Sequence, residues 1–366
     1  MIKYIGSKRL LVPAIAAVAR SLPGAATAVD PFCGTTRVSQ ALKQCGLTVH
    51  ANDTASYSEV LAECYVRADA RSIPVAEAQE LLAHLSSLPP RAGYFTETFC
   101  VRSRYFHPKN GARIDAIREE IEALRLAGDL RAIALTSLLE AADRVDSTTG
   151  LQMAYLKRCA PRALADLELR MPRLLPGTGT VSRRDANALV RDLPEQDLAY
   201  LDPPYNQHSF FGNYHVWETL VRNDRPAVYG VACKRVDCRE NKSAYNSRRG
   251  FAPALDDLLD GLRARTVLFS CNDEGYLDAG EVARRLARWG TVGCLEVDYR
   301  RYVGARIGIY NPKGERVGEV SHLRNREMLL LAAPDSVTVG RALEAAAAAL
   351  PASPSAVARA GRTIRA

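Results

Sequence analysis

The sequence predicts an α/β fold in which helices cover a largely parallel sheet. Short apolar segments such as Ala26–Phe32 and Leu47–Ala51 have the length of buried strands and lead into acidic or asparagine residues. Segments with helix-spaced apolar residues separate them, and a glycine-containing turn follows the first strand. Alternation of this kind is typical of parallel sheets whose ligands bind at the carboxyl ends of the strands.

The amino-terminal segment, residues 3–8 (KYIGSK), leads into a helix predicted over Leu10–Leu22. Gly6 would let the backbone approach a ligand closely, with the Tyr4 ring and the Lys8 cation beside it. The alternative is a frayed terminus followed by a capped helix, and these residues alone favour that alternative.

The first strand leads into a turn that suits a bound ligand. The strand ends at Asp30, residues 33–36 (CGTT) form the turn, and a helix is predicted over Arg37–Cys45. In a strand, glycine turn and helix of this kind, the backbone and the helix amino terminus both face the ligand. Because only one of the glycines of a G-x-G-x-x-G pattern is present, NAD binding is not supported.

The second strand, Leu47–Ala51, precedes Asp53. An acid at this distance from the glycine turn suits hydrogen bonding to ribose hydroxyls. Asp53 could equally cap the helix predicted over Tyr57–Ala68, and both roles are compatible.

The strand around Leu198–Leu201 stops at two prolines, and the chain is organised around this point. Pro203 and Pro204 cannot donate to a sheet and disfavour an immediate helix, so Asp202 and Tyr205 are presented at the carboxyl edge. The free carbonyls and the aromatic ring suit a flat base with an exocyclic amine. The alternative is an ordinary proline-rich turn with a solvated aspartate.

Between residues 71 and 175 the pattern becomes helical, without convincing strands. Helix-spaced apolar residues occur over Val75–Leu88, Asp115–Leu126, Leu130–Asp143 and Pro161–Leu174. The basic and aromatic residues of Phe95–Arg113 suit contact with nucleic acid, although solvated helix ends and core aromatics explain them equally well. The basic residues predicted to contact nucleic acid here are Arg102, Arg104, Lys109 and Arg113.

The remaining chain completes the sheet. A third strand is predicted over Val181–Asp185. His208–Arg249 is predicted to be an irregular functional loop, in which Lys234 and Arg235 would contact nucleic acid. Further helices and strands are predicted over Ala186–Val190, Ala252–Arg263, Thr266–Ser270, Ala279–Trp289, Leu295–Tyr299 and Glu327–Ala332, with a basic excursion over Arg300–Gly318. The alanine-rich tail beyond Asp335 is expected to be a loose helix that contributes little.

Composition bounds the class of protein. The 366 residues carry 49 Lys+Arg against 41 Asp+Glu, a net charge of +8 that is compatible with a polyanionic partner. No apolar run approaches the roughly 18 residues of a membrane span, and no signal peptide is evident, so a soluble, cytoplasmic protein is expected. The nine cysteines form no Cys-x-x-Cys pair, so we expect neither a metal site nor a disulfide framework.

Four features occur together in one order. They are KYIGSK at residues 3–8, DPFCGTT at 30–36, Asp53, and DPPY at 202–205. Together they resemble the D12 class of N6-adenine DNA methyltransferases over nearly the whole chain.

The resemblance implies a Rossmann-like, S-adenosylmethionine-dependent methyltransferase sheet with a helical insertion. Residues 1–70 and 176–335 would form the catalytic domain, 71–175 the target-recognition insert, and 336–366 a basic, alanine-rich tail. The cofactor-binding residues that it implies are Tyr4, Lys8, Asp30, Phe32, Gly34, Asp53, Asp185 and Asp202. The catalytic residues that it implies are Asp202, Pro203, Pro204 and Tyr205.

Thr36 departs from the family pattern, since the turn of the family is usually Phe-x-Gly-x-Gly. A side chain at this position is expected to crowd the approach of the cofactor and to weaken its binding.

The chemistry expected of such a site needs no covalent enzyme intermediate. S-adenosylmethionine supplies an activated methyl group, and the protein aligns nitrogen, methyl carbon and sulfur. The Asp202 carboxylate and the Pro203 carbonyl would accept the amine hydrogens while Tyr205 stacks on the base. Because a paired base is out of reach, it must leave the duplex at a cost of a few kcal/mol.

The leading hypothesis is therefore methylation of adenine N6 in double-stranded DNA, with a cognate restriction endonuclease as a candidate partner. N4 of cytosine or an RNA base would present similar amine geometry. A catalytically silent DNA-binding module and a small-molecule methyltransferase are the alternatives from other classes.

Overall fold

The computed structural model describes residues 2–153, 155–156, 158–300, 309–310, 316–318, 324–350 and 357–364. Its strands are β1 (Thr27–Asp30), β2 (Thr48–Asn52), β3 (Gly179–Ser182), β4 (Gln196–Leu201), β5 (Val228–Tyr229), β6 (Lys234–Arg235), β7 (Ala264–Asn272), β8 (Thr291–Arg300), β9 (Ile309–Tyr310), β10 (Arg316–Gly318), β11 (Arg324–Ala333) and β12 (Val357–Ile364). Eight of them form one sheet in the order β12-β8-β11-β7-β4-β1-β2-β3.

The sheet is parallel from β7 to β3 and antiparallel at the other end. Strands β7, β4, β1, β2 and β3 run in one direction, and β11 is antiparallel to both β7 and β8. The parallel strands therefore end at one edge, where Asp30, Asn52, Leu201 and Asn272 are their last residues. This arrangement confirms the predicted Rossmann-like α/β fold.

The described residues also form α-helices. They are α1 (Val12–Ser21), α2 (Arg37–Gln44), α3 (Ser56–Ala62), α4 (Val75–Ser87), α5 (Tyr94–Thr96), α6 (Pro108–Ala123), α7 (Gly128–Arg144), α8 (Ala186–Asp192), α9 (Phe210–Asn213), α10 (His215–Arg222), α11 (Arg248–Gly261), α12 (Ala279–Leu286) and α13 (Ser336–Ala349).

Helices cover both faces of the sheet because each strand has apolar side chains on both sides. On one face, Ile15 of α1 and Leu343 of α13 pack with Leu198 and Leu329 of the sheet. On the other face, α8, α11 and α12 pack against residues such as Val267 and Phe269. Full burial of such side chains contributes about 1.5–3 kcal/mol each.

The helical region 71–175 shares an apolar core with elements from outside it. Leu139 of α7 lies in the same cluster as Tyr57 of α3 and Trp217 of α10. Its predicted role in target recognition, and the predicted domain boundaries, stay predictions.

The predicted helix Pro161–Leu174 is wrong beyond its first turn. Only Pro161–Leu164 is helical, as a 3-10 turn. The Asn110 side chain donates to the carbonyls of Ala163 and Ala165 and accepts from the amide of Leu167. These bonds satisfy backbone groups that a helix would otherwise pair internally.

Two other predicted helices have different bounds or geometry. The segment predicted as Tyr57–Ala68 is α3 followed by a π-helical turn over Glu63–Arg67. The helix predicted from Asp115 begins at Pro108, which occupies the first helical turn, where its missing N–H costs nothing.

The predicted irregular loop His208–Arg249 contains regular structure. Helices α9 and α10 and the β5–β6 hairpin lie within it. Helix α10 forms because one of its sides is strongly apolar and packs into the core. The Trp217 side chain of this helix is fully buried.

The alanine-rich tail was predicted to be a loose helix, and for Ser336–Ala349 this prediction is wrong. Ala342 and Ala346 of α13 are fully buried, in the cluster that contains α1. Small side chains allow two helices to approach closely, so alanine here favours packing. Of the predicted excursion Arg300–Gly318, residues 301–308 and 311–315 lie outside the described residues.

Candidate active site

Asp202 directly follows the last residue of β4, at the carboxyl edge of the sheet. Leu198–Leu201 are all buried, whereas the Asp202 side chain is 19 % exposed and lines a cavity. Pro203 and Pro204 continue the backbone away from the sheet along the wall of the same cavity. The Pro-Pro corner, residues 202–205, therefore presents its polar atoms where the sequence predicts them.

Lys8 is buried between two carboxylates. Its Nζ lies 3.1 Å from Asp202 Oδ1 and 3.1 Å from Glu327 Oε2. Burial raises the pKa of Asp202 to about 6, although Lys8 lowers it, and Glu327 raises it further. The charged state of Asp202 thus depends on Lys8, whose ammonium also lies 5.4 Å from the centre of the Tyr205 ring.

The Tyr205 ring is buried and is fixed at two points. The Tyr205 hydroxyl accepts a hydrogen bond from Asn272 Nδ2 at 3.1 Å. The backbone carbonyl of Tyr205 accepts one from the amide of Tyr276 at 3.1 Å. The ring is 8 % exposed, so only its cavity-facing side is available to a ligand.

The turn after β1 brings the Gly34 backbone close to the Tyr4 ring. Gly34 has a φ of +50°, and its amide donates to Asp53 Oδ2 at 2.9 Å. A Cβ at Gly34 would lie 3.2 Å from Cε1 of Tyr4. Glycine is therefore required both by the backbone angle and by this close approach.

Asp53 is held by backbone amides on both carboxylate oxygens. Oδ2 accepts from Gly34 and Oδ1 accepts from Ala55 at 3.0 Å. Desolvation raises the pKa of Asp53 while these amides lower it. The second contact holds the backbone at Ala55, the residue before α3, but Asp53 does not cap this helix as the alternative interpretation expected.

Asp30 is a buried carboxyl group at the wall of the cavity. It is 1 % exposed, its Oδ2 accepts from Ser39 Oγ at 2.6 Å, and its Oδ1 makes no hydrogen bond within the described residues. Burial raises its pKa to about 7, and the nearby carboxylates of Asp202 and Asp53 raise it further. Such a group would be stabilised in its ionised form by a cationic ligand.

Thr36 adopts a left-handed conformation, with φ +62° and ψ +11°. Its side chain is fully buried, and its hydroxyl accepts from Gln40 Nε2 at 2.9 Å. The described residues that line the cavity include Cys33, Gly34 and Thr35 from this turn but not Thr36. The structural consequence of the missing glycine is thus backbone strain, in place of the predicted crowding of the cavity.

One cavity of about 560 Å³ joins these groups. All of the predicted catalytic and cofactor-binding residues line it, namely Tyr4, Lys8, Asp30, Phe32, Gly34, Asp53, Asp185, Asp202, Pro203, Pro204 and Tyr205. Asp185 also caps α8 by accepting from the amide of Ala188. The structure therefore brings the predicted residues together, while the role of each stays a prediction.

Aromatic side chains fix one wall of the cavity. The Tyr4 ring lies between those of Phe210 and Tyr214, with centroid distances of 5.1 Å and 4.4 Å. The Tyr214 hydroxyl accepts from the amide of Ile5 at 2.6 Å. Phe210 and Phe211 line the cavity, whereas Tyr214 is buried in the core.

The residues predicted to contact DNA have different surroundings. Arg102 and Arg104 are exposed, and the Arg104 guanidinium lies 5.4 Å from the Tyr155 ring centre. Lys109 is paired with Asp166, and Arg113 donates to the carbonyl of Ser86. Lys234 is half-buried, on the β5–β6 hairpin.

Arg235 is the exception among these residues. It is 1 % exposed and its guanidinium donates to the carboxylates of Asp224 and Asp237. A side chain buried in this way has no surface left for a phosphate, so the structure does not support Arg235 as a DNA contact.

Sequence reasoning missed Asn272 and Glu327, which contact Tyr205 and Lys8. Neither lies in a recognisable motif. For Glu327 a signal was present, since it is an acid at the head of the apolar run Met328–Ala333.

Among the described residues, no cluster of histidine, cysteine, aspartate or glutamate is arranged to hold a metal ion. No described helix is both long and apolar enough to cross a bilayer.

Comparison with known proteins identifies the family of this chain. The sequence model of a family described as D12 class N6 adenine-specific DNA methyltransferase matches residues 4–256. The Type II methyltransferase M.NlaIII of Neisseria lactamica is 31 % identical over 335 residues, which cover 87 % of this chain and 98 % of the relative.

Two longer relatives match over part of their length. Modification methylase StsI of Streptococcus sanguinis is 28 % identical over 83 % of this chain and 49 % of the relative. The Type II methyltransferase M.FokI of Planomicrobium okeanokoites is 29 % identical over 82 % of this chain and 49 % of the relative. The chain therefore spans nearly all of the first relative and about half of these two.

Proposed function

We propose a reaction for this chain on the basis of its family. The chain belongs to the D12 class of N6-adenine-specific DNA methyltransferases, and it is a site-specific DNA methyltransferase. The proposed reaction is transfer of a methyl group from S-adenosylmethionine to N6 of an adenine that has left a DNA duplex. The observation that carries the proposal is the single cavity that unites the Pro-Pro corner with the turn at Gly34.

The residues of the cavity fit S-adenosylmethionine as the methyl donor. When bound, S-adenosylmethionine supplies a methyl group on a positively charged sulfonium. Asp30 has a buried, unpaired carboxylate oxygen, and Asp30 and Asp202 both have raised pKa values. Asp30, Asp202 and Glu327 together can carry more negative charge than the single positive charge of Lys8. A cationic ligand would offset this excess of negative charge.

The turn at Gly34 would receive the rest of the donor. The left-handed glycine leaves the backbone open to close approach, and Asp53 would accept from the ribose hydroxyls through the lone pairs that the amides leave available. Phe32 and Asp185 line the cavity and would contact the adenine of the donor.

Asp202 and the Pro203 carbonyl would accept the hydrogens of the adenine amine. Two acceptors on the N–H groups turn the nitrogen lone pair toward the methyl carbon and position it for direct attack. The Tyr205 ring would stack on the base with its cavity-facing side. Phe210 and Phe211 line the same cavity and would help to keep the base out of the duplex.

For the DNA itself we propose Arg102, Arg104, Lys109, Arg113 and Lys234 as phosphate contacts. Arg102 and Arg104 are the first of these to test, because both are exposed and lie two residues apart in the chain. Such contacts would make DNA affinity dependent on salt.

The relatives supply a biological setting for the proposal. They are named as type II methyltransferases and modification methylases. We therefore propose that this chain modifies a DNA site in a restriction–modification context, beside a cognate endonuclease, in the cytoplasm.

The test is incubation of the purified chain with radiolabelled S-adenosylmethionine and unmethylated DNA, followed by mass spectrometry of the digested nucleosides. The expected product is N6-methyladenine. N4-methylcytosine would overturn the choice of base, and absence of labelled DNA while S-adenosylmethionine binds would favour a silent DNA-binding module.

A further inference from the structure

We propose that Asn272 and Glu327 are positioning residues for methyl transfer, which act together behind the Pro-Pro corner: Asn272 orients Tyr205, and Glu327 divides the charge of Lys8 with Asp202. This inference rests on the proposed function. Both residues lie beyond residue 256, where the match to the family model ends.

The two residues form a cross-strand pair. Asn272 is the last residue of β7 and is paired with Glu327 of the antiparallel strand β11. Directly opposed residues of an antiparallel pair project from the same face of the sheet. Both are buried, at 6 % and 3 % exposure, so they form a buried polar pair at the carboxyl end of β7.

The orientation of the Asn272 amide is determined by its neighbours. Its Oδ1 accepts from the backbone amide of Glu274 at 3.0 Å, which leaves Nδ2 to donate to the Tyr205 hydroxyl. The backbone bond between Tyr276 and Tyr205 fixes the other end of the residue. Tyr205 is therefore anchored at its hydroxyl and at its backbone, which fixes the position of the ring in the cavity wall.

Glu327 shares the Lys8 ammonium with Asp202 and thereby weakens the ion pair between Lys8 and Asp202. The ammonium lies at the same distance, 3.1 Å, from both carboxylates. Without Glu327, Lys8 would pair with Asp202 alone, which would make that carboxylate a weaker acceptor for an amine hydrogen. The groups that face Asp202 are Lys8 from the amino-terminal segment, Glu327 from β11, Tyr200 from β4 and Asp30 from β1.

The two residues should give different kinetic signatures. Glu327→Gln removes a negative charge, so we expect the acidic limb of the kcat profile to move about one unit lower, with kcat at pH 8 reduced at least tenfold. Asn272→Ala removes no charge, so we expect a similar loss of kcat with the limb unmoved. Glu327→Asp should return the limb toward the parent position.

The control is Glu296→Gln, which changes a half-exposed glutamate on the adjacent strand β8. Unfolding by denaturant would be followed for every variant, and a variant that does not fold would be replaced by Glu327→Met or Asn272→Leu, which likewise remove the carboxylate or the amide donor. Parent-like kcat and pH profile in folded variants of both residues would overturn the proposal. An inactive parent enzyme would instead count against the proposed function.

Discussion

The ammonium nitrogen of Lys8 lies 3.1 Å from Oδ1 of Asp202, and this buried ion pair joins the amino-terminal segment to the Pro-Pro corner. The pair makes one site of two motifs that the sequence places almost two hundred residues apart. Because Glu327 shares the same ammonium, removal of either carboxylate leaves Lys8 with a partner. This sharing is what allows Asp202 to be replaced without leaving a buried charge unpaired.

We predict that the affinity for S-adenosylmethionine rises with pH between about 5 and 7.5. The pKa of Asp30 is raised to about 7 and that of Asp202 to about 6, so both acids lose protons over this interval. The ionised forms attract the sulfonium, and each proton released on binding increases affinity by up to about tenfold per pH unit. Calorimetric titrations at several pH values measure this.

S-adenosylhomocysteine is the control ligand, since it lacks the sulfonium charge. Its affinity should rise much less over the same interval. An equal rise for both ligands would show that the carboxylates do not respond to that charge.

We predict that Arg102→Ala with Arg104→Ala weakens DNA binding and lowers its salt dependence. Loss of two phosphate contacts reduces the slope of log K against log salt by about 2. Affinity for S-adenosylmethionine should stay unchanged. Fluorescence anisotropy with labelled duplex at four salt concentrations gives the slope.

The matched control is Arg284→Ala with Arg288→Ala, which removes two exposed arginines, one on α12 and one just beyond it. If the control changes the slope as much as the test pair, net charge alone accounts for the effect and the region 95–113 is not the contact surface.

We predict that Thr36→Gly is more stable than Thr36→Ala by about 1 kcal/mol in the free energy of unfolding. Both variants lose the buried side chain and its bond to Gln40. Only alanine retains a Cβ in the left-handed conformation at φ +62°. Chemical denaturation compares them, and equal stability would mean that the turn relaxes to a different backbone angle.

Much of the site could be predicted from sequence because its determinants are local. The two prolines end β4 wherever the strand lies, and the glycine turn follows β1 without help from distant residues. The convergence of Asp30, Asp53 and Asp202 follows from a parallel sheet, in which carboxyl ends share one edge.

The errors concern interactions between distant segments. Asn110 satisfies the backbone of 163–167, so a helix-spaced pattern there does not form a helix. Glu327 and Asn272 meet only because β11 lies beside β7, an order of strands that no local pattern specifies. The strain at Thr36 likewise depends on a backbone angle that the residue type alone disfavours.

The most direct test of the role of Asp202 is methyl incorporation by Asp202→Ala, with the surface variant Asp260→Ala as control. Removal of one acceptor of the amine hydrogens should lower kcat by about 10²–10³. Stability should stay close to that of the parent, because Lys8 keeps Glu327. Asp202→Ala that folds normally and methylates duplex DNA within threefold of the parent rate would contradict the central claim that Asp202 accepts the amine hydrogens.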